Sequence, residues 1–101
     1  MFHKKEVIKI LSQNKQKFKA IGVEQIGLFG SVVREENNES SDIDILVTFY
    51  EIAHTYQNFN QVCDLLENYF GENYDLVIQK ALTPYIKKQI LQEVEYVSLI
   101  S

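Results

Sequence analysis

The feature that most restricts this chain's folding choices is the pattern in residues 28–49, LFGSVVREENNESSDIDILVTF. From Asp42 onward the residues alternate. As a strand, Ile43, Ile45, Val47 and Phe49 share one face, and Asp42 and Asp44 share the other. Such a strand needs a sheet whose apolar side is covered. Two carboxylates at i and i+2 on one face repel, and no neighbouring residue offers either a partner. A hard divalent cation removes the conflict, because Mg²⁺ prefers oxygen ligands and is commonly held by one or two carboxylates together with substrate phosphates. The same two residues also read as a turn or cap aspartate followed by a solvent-facing one, and a short motif of this kind leaves both readings open.

Gly30 and Ser31 stand just upstream, with ten residues between them and Asp42. Gly30 closes the apolar run Ile26, Gly27, Leu28, Phe29 and, lacking a Cβ, lets the backbone come close to a ligand. Residues 31–36 are expected to form a short helix with Ser31 at its N-cap, where free N–H groups and a hydroxyl suit a phosphate. A plain strand-to-helix turn is the alternative.

The remaining chain supplies a scaffold. Residues 3–19 place Val7, Ile8, Leu11 and Phe18 at roughly helical spacing with lysines opposite, which predicts one amphipathic helix. The lysine face is either a basic patch or simply solvated. A strand is expected over Val23–Phe29, a polar loop over 37–41, a second strand over 42–49 and a loop over 50–57. In that loop Tyr50 and Tyr56 are possible contacts, and His54 is a possible base or an exposed residue. Asn58 is expected to cap a helix over 59–70, whose stripe of Phe59, Val62, Cys63, Leu66, Tyr69 and Phe70 reads as core, with Gly71 as its stop. Residues 73–78 read as a strand carrying Asp75. That aspartate either joins Asp42 and Asp44 in a carboxylate trio or lies exposed on an edge strand. Thr83 and Pro84 open a last helix with Ile86, Ile90 and Leu91 on its apolar side and Lys87 and Lys88 facing outward or toward a phosphate, before a final strand over 96–100.

The expected fold is therefore α+β: a small mixed sheet of about four strands with helices packed on one side, in one domain over residues 1–101. The composition, 46% hydrophobic and 24% charged, is that of an ordinary globular protein. The net charge of −4 argues against a broad nucleic-acid-binding surface. One cysteine, Cys63, excludes an internal disulfide and reads as a buried structural thiol. No apolar run approaches membrane-spanning length and the N-terminus lacks a cleavable apolar segment, which points to the cytoplasm without membrane attachment.

Gly30-Ser31, ten residues, then Asp42-Ile43-Asp44 resembles the signature of the DNA polymerase beta-like nucleotidyltransferase superfamily. The wording LFGSVVR and SSDIDILV, with the later YDLV and ALTPYIKKQIL, is similar to its minimal nucleotidyltransferase (MNT) branch, whose members often serve as antitoxins beside HEPN-domain toxins. The branch commonly shows Ala-Arg-Gly where this chain has Val33, Arg34 and Glu35. The resemblance implies the polymerase beta-like fold and Asp42, Asp44 and Asp75 as catalytic and metal-binding acids holding Mg²⁺, in all about two ions. It also implies ATP as substrate, its phosphates gripped by Gly30 and Ser31 with help from Arg34. The implied reaction moves AMP from ATP to a hydroxyl, a tyrosine of a HEPN toxin, so the chain would be an antitoxin. Two alternatives accompany this: a non-catalytic antitoxin that masks the toxin by binding, and nucleotidyl transfer to a small molecule. Base preference has no determinant in the sequence, and an oligomer is left open.

Overall fold

The computed structural model describes residues 1–100. Two helices, α1 (Lys4–Gln13) and α2 (Lys15–Ala20), lead into strand β1 (Val23–Phe29). After a long connection come β2 (Ile43–Phe49), α3 (Tyr56–Phe70) and β3 (Tyr74–Ile78), then α4 (Pro84–Glu93) and the short β4 (Glu95–Val97). The sheet runs β3-β2-β1-β4. β1 pairs antiparallel with both β2 and β4, while β2 and β3 run parallel, so α3 serves as their crossover.

The alternation in β2 does what its period demands. Ile43, Ile45, Val47 and Phe49 join Ile26, Leu28 and Val97 in the main buried cluster. Val7 and Leu11 of α1, Phe18 of α2, and Val62, Leu66 and Phe70 of α3 cover them. The other face carries Asp44, Leu46 and Thr48. Here Leu46 is fully buried yet stands outside the main cluster, as does Ile90, the buried residue of α4. Gly27 pairs with Leu46 across the sheet, and a side chain at position 27 would collide with Val94 at the end of α4. Three helices thus cover one face, and α4 reaches over the aspartate face.

Several expected elements differ in detail. The single helix over 3–19 is two, because Asn14 leaves helical geometry (φ −111°, ψ 16°) and its amide donates to the Ile10 carbonyl at 2.7 Å. An asparagine that competes for backbone bonds ends one helix and starts the next. α3 begins before Asn58: its N-cap is Thr55, whose hydroxyl accepts the Asn58 N–H at 3.1 Å. The loop before it holds a 3₁₀ turn at Glu51–Ala53. The final strand is Glu95–Val97, not 96–100. Ile86 and Leu91 face outward, leaving Ile90 to seat α4. Cys63 is a free, partly buried thiol and not a buried one, with burial pushing its pKa up. Among the described residues no helix is long and apolar enough to cross a membrane.

Candidate active site

Asp44 lies on β2 and Asp75 on β3, and the parallel register sets them level: Ile43 opposite Tyr74, Asp44 opposite Asp75, Ile45 opposite Leu76. Level residues on adjacent strands project to the same side, so both carboxylates stand on the face away from the main core. Asp42, the expected first residue of this strand, immediately precedes β2, which begins one residue later at Ile43, and it is exposed like Asp75. Asp44 is half-buried, and its pKa is pushed up to about 6. Burial is the largest cause, followed by the charges of Asp75 and then Asp42, with Glu93 adding a little and Arg34 opposing. Asp44 therefore feels both of the other acids.

Among the described residues no three metal-ligating side chains are already converged as a cage. The acids are neighbours instead, and the exposed Asp42 and Asp75 side chains have room to turn about χ1 and χ2. Their repulsion on Asp44, opposed only in part by Arg34, is the condition that a bound dication relieves, so the residues fit a Mg²⁺ site.

Gly30 presses on this acid from β1. Its φ is +77°, a left-handed value, and a Cβ there would strike the Asp44 carboxylate. Only glycine meets both conditions. The segment after it is not the short helix expected over 31–36 but a single turn: Arg34 N–H reaches the Gly30 carbonyl, Glu35 N–H that of Val32, and Glu36 N–H that of Ser31. The last two of these three bonds are nested and close a helical turn through a left-handed residue, Glu35 at φ +59°. Glutamate thus holds the position where glycine is the favoured residue.

Glu93 escaped the sequence reading. From the last turn of α4 its Oε1 accepts the Gly30 N–H at 2.9 Å, and both its oxygens accept from Nη1 of Arg34, at 3.1 and 2.8 Å. Burial opposes its ionisation, but the hydrogen bonds from Arg34 and the Gly30 N–H prevail and hold the carboxyl below its usual range. A signal existed: an acid at a helix C-terminus opposes the macrodipole and calls for a partner elsewhere. Glu36 also approaches Arg34, at 3.6 Å.

Other expected contacts lie apart. His54 stacks on Phe49 with ring centroids 5.6 Å apart. Phe49 stands five residues beyond Asp44, roughly 16 Å along the strand. Tyr50 and Tyr56 are exposed near that far end. In the lysine face, Lys4 binds Glu95 and Glu35, and Lys15 donates to the Ile100 carbonyl.

A mixed four-stranded sheet with carboxylates level on adjacent strands, and a glycine turn closed against one of them, defines a nucleotidyltransferase of the polymerase beta-like class. Residues 5–97 match the family described as "Nucleotidyltransferase domain", and the chain belongs to that family. It is 42% identical over 93 residues to the protein adenylyltransferase MntA of Thermococcus cleftensis, covering 91% of this chain and 93% of the relative. A solved structure described provisionally as a minimal nucleotidyltransferase superposes with a TM-score of 0.70 at 29% identity, covering 87% of this chain and 93% of that one. The fold also recurs, at TM-score 0.51 and 20% identity, in a structure described as a tri-AMPylated Shewanella oneidensis HEPN toxin in complex with its MNT antitoxin, over 86% of this chain and 71% of that one.

Proposed function

We propose that this nucleotidyltransferase moves AMP from ATP to a tyrosine hydroxyl of a HEPN-domain toxin in the cytoplasm, and so acts as that toxin's antitoxin. The observation that carries the reading is the level placement of Asp75 beside Asp44, with Gly30 packed on Asp44. The MntA relative, named a protein adenylyltransferase, supports the donor and the reaction. The structural neighbour described as an AMPylated HEPN toxin with its MNT antitoxin supports the acceptor.

Asp42, Asp44 and Asp75 would hold Mg²⁺, which when bound neutralises the triphosphate and lowers the proton affinity of the attacking oxygen. The chain's other residues bind and orient. The backbone N–H groups of Gly30 and Ser31, with the Ser31 hydroxyl, donate to β- and γ-phosphate oxygens, and Arg34 offsets their charge. The tyrosine oxygen bonds to the α-phosphorus as the bond to the bridging oxygen breaks. Pyrophosphate departs, and the phenolic proton passes to solvent. Positioning and charge compensation are the protein's contribution, as in other phosphoryl transfers.

Mg²⁺-dependent labelling of the toxin with ATP radiolabelled at the α-phosphate tests this. Asp44→Asn should reduce labelling by at least a hundredfold; unchanged labelling refutes the assignment. Mass spectrometry of toxin co-expressed with the wild-type chain should show added AMP, whereas an unmodified toxin in a stoichiometric complex indicates masking.

A further inference from the structure

The Gly30 N–H and the Arg34 guanidinium, two of the groups assigned above to the nucleotide's phosphates, are both occupied by a carboxylate of the chain itself. Glu93 accepts from Gly30 at 2.9 Å and from Arg34 at 2.8 and 3.1 Å, and Gly30 and Glu93 are 63 residues apart in sequence. We propose that Glu93 holds the phosphate seat and leaves it when a triphosphate binds, so that this one residue sets how tightly the nucleotide is held. The inference rests on the phosphate-gripping role given to Gly30 and Arg34.

Three observations argue for exchange over a fixed tie. First, Gly30 is buried, so its N–H needs an acceptor at all times. A carboxylate and a phosphate oxygen both serve, and the more highly charged phosphate is the stronger partner for N–H and guanidinium alike. Second, the Glu93 side chain is 29% exposed and that of Arg34 46%. Rotation of the glutamate side chain releases the seat into solvent without moving α4, which stays anchored by Ile90 and by Val94 over Gly27. Third, leaving Glu93 in place would hold its charge beside the incoming phosphates as well as beside Asp44, where it already adds to the acid's burden. Departure removes a like-charge contact, and the phosphate that takes the place of Glu93 gives the Gly30 N–H its acceptor.

The contact matters here, not the charge alone, and aspartate separates the two. Glu93→Asp keeps the negative charge but is one methylene too short to reach Gly30. Glu36→Gln removes an equal charge beside Arg34 while leaving the Gly30 bond intact. Calorimetry with Mg²⁺ and a non-hydrolysable ATP analogue, repeated with inorganic tripolyphosphate, should show Glu93→Asp and Glu93→Gln binding both probes about tenfold more tightly than wild type, about 1.4 kcal/mol. Glu36→Gln should shift affinity by no more than about twofold. Wild-type affinity or weaker in Glu93→Asp overturns the proposal while leaving the phosphate site intact. Failure of the wild type and both Glu93 variants to bind either probe sinks the site assignment as well. In the wild type, whatever the variants' stability, the ¹³C resonance of the Glu93 carboxyl should move to the position of a free glutamate on saturation with the analogue. A resonance that stays put overturns the exchange.

Discussion

At the scale of single residues, two positions are poor for stability. Glu35 closes its turn at φ +59°, where a side chain clashes with its own backbone at a cost of about 1 kcal/mol relative to glycine. Its ion pair with Lys4, at 3.8 Å and exposed, offsets little. Glu35→Gly should therefore raise stability by about 1 kcal/mol, seen as a melting temperature higher by roughly 4–8 °C for a domain of this size. Asp44 is the second. Its carboxyl titrates at about 6 in the fold against an ordinary value of 3.8, so folding favours its protonated form. Its ionisation has no effect on stability below pH 3.8, destabilises progressively as pH rises through the window up to about 6, and weighs fully above it. Because the group is only half-buried, solvent screening discounts that penalty to about 1 kcal/mol. Urea denaturation in Mg²⁺-free buffer should find Asp44→Asn more stable than wild type by about that amount at pH 7.5 and indistinguishable at pH 3.5. A residue this unfavourable at neutral pH is what a site held for chemistry looks like.

At the scale of elements, periodicity was legible and punctuation only in part: Gly71 ends α3 and Thr83-Pro84 opens α4 as expected, while other helix ends fell elsewhere. The alternation in β2 and the stripe on α3 announced themselves because each face packs on the core, fully in β2 and through Val62, Leu66 and Phe70 in α3. Helix ends depend on one or two bonds, and neighbouring polar residues compete for them. Asn58 looked like a cap, but Thr55 takes that role and Asn58 instead donates to the Ala53 carbonyl. Asn14 divides what the spacing suggested was one helix. Thr55→Ala should lower stability by about 1 kcal/mol, and Thr55→Ser, which keeps the hydroxyl, should restore it in the same denaturation assay. The aspartates were visible as a pattern, since repulsion between i and i+2 is local. The contacts of Gly30 with Asp44 and Glu93 were not, because they join segments that only the folded sheet brings together.

At the scale of the whole molecule, the sheet order puts Asp44 on an inner strand and Asp75 on the edge strand beside it, delivered there by α3. Local pattern marked each strand but not the parallel pairing of β2 with β3, which rests on contacts that only the folded chain makes. The length of the crossover helix and of the turn at Gly71 decides which residue of β3 comes level with Asp44, and the buried face of the strand then favours that register. Counting residues is thus as much a part of this site as choosing them. One alanine added between Gly71 and Tyr74 should advance β3 by half a pleat and swing Asp75 through the sheet to the oily side. AMP labelling of the toxin would vanish although every acid is still present, and a second added residue, restoring the phase, should bring part of it back.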